Sequence, residues 1–187
     1  MMKLIKSPLE AKDIFNLIAG DKVLISGTVY TLRDSAHKLL LQLFKEGKDF
    51  PFPTQNAVIY YAAPTPPKAG HPLGSLGPTT ASRMDVYVPM LLEKGIRGMI
   101  GKGKRSDEVR ELLKQYKAVY FLAAGGAGAY LAQFVKDAKP VAFQELGPEA
   151  IYEVQLEGFP AIVAIDGEGR SIWDEEEEKE KENKDKI

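Results

Sequence analysis

Arg33, Arg83 and Lys102 are cations placed where a cation is costly. Arg83 falls in the first turn of a helix predicted from TASRMDVYVPMLLEKG (80–95). The macrodipole already presents its positive pole there, and a cation loses roughly a few tenths of a kcal/mol or more. Arg33 directly follows a predicted strand over 22–32 and opens a helix, while Lys102 follows the strand-like GIRGMI and precedes a helix from Ser106. All three therefore occupy strand-to-helix turns, where open α/β sheets collect ligands at their carboxyl edge and helix N-termini favour anions. Gathering these groups costs Coulomb repulsion unless a ligand of about two negative charges neutralises them. A guanidinium grips a planar carboxylate with two parallel bonds, and an ammonium supplies a movable point charge. A small dicarboxylate fits that inventory and so does a phosphate; spacing does not choose between them.

Other chemistry-bearing residues have plainer readings. Thr79 and Thr80 precede the same helix and are suited to capping it. Asp34 caps its helix or orients an arginine, and His37, one turn in, reads as a packed or hydrogen-bonded histidine. His71 lies in a long loop and carries no assignment. AAGGAGA (123–129) follows a strand and opens a helix, as a phosphate-cradling loop does. It lacks the spacing of either glycine-rich nucleotide fingerprint and any following Lys-Ser/Thr, so close helix–strand packing accounts for it better. Asp166 in DGEG reads as turn chemistry.

The composition bounds the function. With 187 residues, 44% hydrophobic and 27% charged, the chain suits one soluble globular domain. A net charge of −1 gives no electrostatic footprint for a nucleic-acid partner. No apolar run reaches membrane-spanning length, and MMKLIKSPLEAKD lacks the pattern of a signal peptide, which predicts a cytoplasmic protein. Cysteine is absent, excluding disulfides, a thiolate nucleophile and a cysteine-ligated metal or iron–sulfur site within this chain. Two histidines are too few to hold a metal unaided, so any metal must come with another chain.

The elements that must position these residues follow from periodicity and punctuation. Ser7, Pro8 and Glu10 predict a helix start with a capping box, stopped by Gly20. KVLISGTVYTL (22–32) reads as a strand interrupted at Gly27, followed by a helix with apolar residues at Ala36, Leu40, Leu43 and Phe44. NAVIYYA (56–62) is a short buried-type strand. The Pro/Gly-rich stretch 63–80 is a long loop, functional or disordered. The helix over 80–95 should kink at Pro89, and SDEVRELLKQY (106–116) is a helix capped by Ser106. Residues 117–138 predict a strand, a glycine turn and a further helix, with strands near 139–146, 151–157 and 161–166 and a possible terminal strand at RSIW. Strands alternating with helices, then a strand-rich end, predict an α/β domain with a mixed sheet over 1–173. The almost wholly charged stretch 174–187 predicts a disordered tail.

Taken together, LISGTVYTLRDSAHKLL (24–40), GSLGPTTASRMD (74–85), RGMIGKG (97–103), VYFLAAGGAGAYLA (119–132) and EGFPAIVAIDGEG (157–169) resemble the beta subunit, or C-terminal domain, of class I iron–sulfur fumarate hydratases and L(+)-tartrate dehydratases. The resemblance implies a swivelling β/β/α domain. It also implies a partner alpha subunit that holds a [4Fe–4S] cluster through three cysteines, with one iron open to substrate. On this resemblance Arg33, Arg83 and Lys102 correspond to substrate-carboxylate binders, and Thr79 to the base that takes the C3 proton of malate. Ser82 stands where relatives often have glycine, and GKGKRSDE departs from their commoner continuation, so Lys102 rather than Lys104 is carried over. The implied activity is reversible hydration of fumarate to (S)-malate in a heteromer, with L(+)-tartrate dehydration as the alternative substrate reading. A non-catalytic anion- or nucleotide-binding module using AAGGAGA and GKGKR is the alternative of another class.

Overall fold

The computed structural model describes residues 2–67, 69–174 and 176. Strands β1 (Lys3–Ser7), β2 (Lys22–Thr31), β3 (Val58–Tyr60), β4 (Gly98–Gly101) and β5 (Val119–Leu122) lie side by side in chain order and run parallel. β6 (Val135–Ala142) and the long β7 (Ile151–Ile165) complete the sheet and run antiparallel to their neighbours. β7 pairs with β2 on one side and with β5 and β6 on the other. The sheet therefore closes on itself through β2, β3, β4, β5 and β7, leaving β1 and β6 paired on one side only. This is the mixed α/β architecture predicted from the sequence, consistent with a β/β/α domain.

Alternation along the short parallel strands sorts their side chains into two layers. Val58, Tyr60, Ile100, Val119, Phe121, Phe159 and Val163 form one buried cluster on the enclosed side. Ile59, Tyr61, Met99, Tyr120 and Ala164 face outward into a second cluster. Helices α2 (Asp34–Lys45), α3 (Val88–Glu93) and α4 (Asp107–Tyr116) cover that second cluster. α2 places Ala36, His37 and Leu40 on the sheet, as its spacing predicts. α4 is capped as expected, with Ser106 Oγ accepting from the Val109 amide at 3.3 Å and Asp107 and Glu108 in the first turn. The kink anticipated at Pro89 is also present: a 3₁₀ segment, Ala81–Tyr87, gives way to α3, and proline sits in the first turn, where its missing N–H costs no bond.

The structure corrects the reading at both ends. Ser7 does not cap a helix; it ends β1, and its hydroxyl donates to the Thr28 carbonyl. The first helix, α1, is only Ala11–Phe15, and its capping box pairs Glu10 with Asp13. The helix predicted to run to residue 138 stops at α5 (Gly128–Leu131), and after a 3₁₀ turn residues 135–142 form β6 instead of a strand at 139–146. Pro140 disfavours helix for itself and its predecessor, and an edge strand with register shifts tolerates it. The strands predicted at 151–157 and 161–166 are one continuous strand, β7. RSIW contributes a single bridge, Ile165 to Ser171. The predicted tail falls mostly outside the described residues, although its first residue, Asp174, pairs with Arg110 at 2.7 Å.

Phe159 is fully buried and meets the rings of Tyr60 and Phe134 edge-on at 5.4 and 6.4 Å. Because it fills the enclosed layer, Phe159→Ala should cost about 3–5 kcal/mol, read as a lowered midpoint in urea unfolding.

Candidate functional site

The carboxyl ends of β2, β3, β4 and β5 form one edge, and backbone hydrogen bonds draw the predicted site residues onto it. The long loop 63–80 is ordered at its base: Thr65 and Ser75 exchange backbone and side-chain bonds, Tyr60 Oη donates to the Leu76 carbonyl at 2.7 Å, and Pro78 bridges Ala62. The loop thus returns the chain across the ends of β3 and β4. There the Thr79 amide donates to the Tyr61 carbonyl at 2.7 Å, the Lys102 amide to the Thr79 carbonyl at 3.2 Å, and the Ala81 amide to the Lys102 carbonyl at 2.9 Å. Thr79 and Lys102, far apart in sequence, are fixed side by side.

The side chains then connect. Arg83, the third residue of the 3₁₀ segment, holds Asp34 by two bonds, Nε to Oδ1 at 3.2 Å and Nη2 to Oδ2 at 3.1 Å. The same Nη2 donates to Thr79 Oγ1 at 3.1 Å. Neither threonine caps as its type suggested: Thr80 precedes the segment without a side-chain cap bond, and the Thr79 hydroxyl is engaged by Arg83. Asp34 orients an arginine, one of its two expected roles, and the Arg83 guanidinium holds its carboxyl below the usual carboxylate range. Arg33 precedes α2 in extended conformation. Its guanidinium lies 3.7 Å from Asp34 through Nη2 and 3.7 Å from Glu149 through Nε. That Nε is buried without a hydrogen-bond partner. Glu149 is steadied by Ser35 Oγ at 2.8 Å. The Lys102 ammonium has no ion-pair or hydrogen-bond partner among the described residues.

Of the glycines flanking Lys102, Gly101 is required by space and Gly103 by its backbone conformation. A Cβ on Gly101 would lie 2.9 Å from Tyr61 Cδ2 and 3.0 Å from Ala81 Cβ, and Gly103 adopts φ +83°. A Cβ on Gly128 would approach the Gly77 backbone nitrogen to 3.1 Å, where the Leu76 amide bonds the Gly128 carbonyl at 3.0 Å. In AAGGAGA close packing therefore holds for Gly128, against the loop at Gly77 and not against a strand as expected, and the Lys102 side chain runs past Gly125. α5, at four residues, is too short to present an anion-binding terminus of its own.

Two residues that sequence reasoning missed brace this edge. The Arg105 side chain is fully buried, with Nε 2.6 Å from Asp85 Oδ1. Its guanidinium lies over the rings of Tyr61 and Tyr120 at 5.2 and 4.9 Å. The other Asp85 oxygen accepts the Ser106 amide at 2.8 Å. A charged pair between two polar-looking stretches, RMD and GKGKR, gives no periodic signal, and Glu149 follows an exposed Gly-Pro with none either.

His37 is buried, as its sequence reading held. Nδ1 donates to the Arg33 carbonyl at 2.7 Å, the ring stacks on Tyr87 at 5.0 Å, and Nε2 has no hydrogen-bond partner among the described residues. His71 is exposed. A cavity of about 590 Å³ lies at the opposite edge of the sheet, lined by Phe15, Leu17, Asn56, Arg97, Tyr116 and Lys117 among others, and it includes none of the four predicted site residues. Among the described residues no group of three or more His, Asp or Glu could hold a metal ion, and no helix is long and apolar enough to cross a membrane.

Two measurements check this geometry. Gly101→Ala forces a methyl group against both Tyr61 and Ala81, and overpacking of this kind should cost about 1–3 kcal/mol in chemical unfolding. Burial pulls the His37 imidazole down to about 4, while the unfolded chain takes the proton near 6.5, so the folded state binds fewer protons between those values. Its contribution is fully present above about pH 6.5, falls by up to about 3 kcal/mol as pH drops toward 4, and then levels. His37→Gln should remove that component from the pH profile of unfolding.

The chain matches the model of a family described as the fumarase C-terminus over residues 2–176. It is 41% identical over 151 residues to the anaerobic class I fumarate hydratase of Escherichia coli, matching 80% of this chain and 28% of that protein. It is 38% identical over 173 residues to a chain named as an L(+)-tartrate dehydratase subunit beta in Methanocaldococcus jannaschii, with 89% of each covered. Fumarate hydratase 2 of Leishmania major is 35% identical over 156 residues, again covering 28% of its length against 82% of this chain. The chain thus spans 28% of each of these two fumarate hydratases and 89% of the separate beta chain. With a family model covering residues 2–176 and relatives of this similarity, the chain belongs to the fumarase C-terminus family.

Proposed function

We propose that this chain is the beta part of an iron–sulfur hydro-lyase that interconverts fumarate and (S)-malate, active only with a companion alpha chain. The observation that carries the reading is the convergence of Arg33, Thr79, Arg83 and Lys102 on one sheet edge, with the Lys102 ammonium unpartnered among the described residues. A cation left without a partner in a half-buried setting is poised for an anionic ligand. Family membership and the class I fumarate hydratase relatives support the reaction class.

The [4Fe–4S] cluster implied by the resemblance does not fit the donor set of this chain, which has no cysteine. On this reading the companion chain holds it, and no step is routed through it here. What this chain contributes is binding, charge stabilisation and proton transfer. Asp34 and Thr79 engage Nε and Nη2 of Arg83, leaving Nη1 for a substrate carboxylate. Lys102 and Arg33 supply further positive charge toward the same edge. Removing the C3 proton of malate builds negative charge on the adjacent carboxylate, and fixed cations aimed at it lower the barrier. Thr79 Oγ1 takes that proton as base and returns it in hydration; the Arg83 donor favours its deprotonated form.

L(+)-tartrate dehydration is the second reading, favoured by the relative named as a tartrate dehydratase beta subunit that matches this chain over 89% of both lengths. The two substrates differ by a hydroxyl, and an assay separates them. The chain and its companion should be reconstituted anaerobically with iron and sulfide and assayed for fumarate hydration and tartrate dehydration. Lys102→Met and Arg83→Met should each lower turnover by about 10²–10³-fold, and Thr79→Ala should lower kcat with little change in KM. Near-normal turnover in Lys102→Met with an intact cluster would exclude the reading.

A further inference from the structure

Lys102 stands between two glycines, the least restrained residues a chain can offer. Upstream it is held by β4 and by the backbone bonds to Thr79 and Ala81. Downstream, Gly103 adopts φ +83° and the chain leaves the sheet through an exposed Lys104. The Gly103 carbonyl accepts from Tyr120 Oη at 2.9 Å, and the next side chain that ties this stretch to the interior is Arg105. That side chain is fully buried, bonded to Asp85 at 2.6 Å, within 3.4 Å of Tyr61 Oη, and set against two tyrosine rings. Asp85 stands two residues after Arg83 in the 3₁₀ segment and also takes the Ser106 amide at 2.8 Å. The pair therefore joins the segment bearing Thr79 and Arg83 to the segment bearing Lys102, on the side where the backbone bonds end. Tyr61, whose hydroxyl meets Arg105, is the residue whose carbonyl holds the Thr79 amide.

We propose that Asp85 and Arg105 are positioning residues that set the place of the Lys102 ammonium relative to Thr79 and Arg83. Stability alone is a poor reason for the pair. Desolvating two charges offsets much of their attraction, and uncharged replacements of like volume are often neutral or stabilising. A side-chain brace that continues the link between the two segments beyond their backbone bonds is a use that such replacements cannot serve. The role rests on the hydro-lyase reading for its kinetic consequence, although the placement of Lys102 can be read without substrate.

The test uses the full chain with its companion and compares wild type, Arg105→Lys and the charge-free double variant Asp85→Asn/Arg105→Met. Melting temperature, KM and kcat for fumarate and tartrate are measured. Reductive ¹³C-methylation then gives the NMR resonance of Lys102, assigned by its loss in Lys102→Arg. The double variant should keep its melting temperature within a few degrees and raise KM at least tenfold, with the Lys102 resonance displaced more than those of other lysines. Arg105→Lys keeps the charge without the planar fork, so it should fold and fall between the two in KM and resonance position. An unmoved Lys102 resonance with unchanged KM in either folded variant overturns the proposal. Should the wild-type complex turn over neither acid while the resonance still moves, the catalytic reading fails and the positioning role stands.

Discussion

Three backbone hydrogen bonds hold the site together. Tyr61, Thr79, Lys102 and Ala81 are linked in sequence by amide-to-carbonyl contacts of 2.7, 3.2 and 2.9 Å. They turn the return of a long loop into a short extra rung on the parallel sheet. Because these groups lie at the sheet's carboxyl edge, the bonds meet donors and acceptors that the ends of β3 and β4 would otherwise leave unpaired. The rung satisfies the backbone and delivers two side chains from distant segments in the same step. The steric demands around it follow: Gly101 must lack a side chain for Tyr61 and Ala81 to meet over it, and Gly77 must lack one for Gly128 to approach.

The charges around that rung are unequally matched. Asp34 lies between the two arginines, bonded to Arg83 and 3.7 Å from Arg33, while Glu149 approaches Arg33 from the β6–β7 connection. These carboxylates offset the repulsion that clustering the cations creates and, on the proposed function, aim the guanidinium groups before a ligand arrives. Such preorganisation is where electrostatic catalysis gains over solvent, since the dipoles need not turn during the reaction. Among the described residues Lys102 lacks a comparable counter-ion. Below the exposed edge, Arg105 and Asp85 place a second ion pair in the protein interior, where one partner removed would leave a charge stranded.

Much of this was legible in the sequence, because the signals were local. Strand-to-helix turns placed Arg33 and Lys102 at one edge, Ser106 marked its helix, and Pro89 marked the change of helical type. Where competing local rules met, the reading failed. Ser7 and Pro8 looked like a helix start, yet the Ser7 hydroxyl serves the Thr28 carbonyl and the strand wins. Residues 135–138 carry helix-compatible types, but pairing with β7 and the constraint of Pro140 make them a strand. The brace of Asp85 with Arg105 and the approach of Glu149 to Arg33 depend on long-range closure, which no spacing encodes. Closure of the sheet through β2 and β7 likewise needs contacts between residues more than a hundred positions apart.

The account turns on whether the cations of this chain, not only groups of a companion, hold the acid. A crystal structure of the two-chain complex with an unreactive four-carbon dicarboxylate bound is the most direct measurement. The account predicts a carboxylate oxygen within about 3 Å of the Lys102 ammonium and of an Arg83 nitrogen, with Thr79 Oγ1 facing the adjacent carbon. A dicarboxylate gripped wholly by the companion chain, with Lys102 and Arg83 turned to solvent, would contradict it.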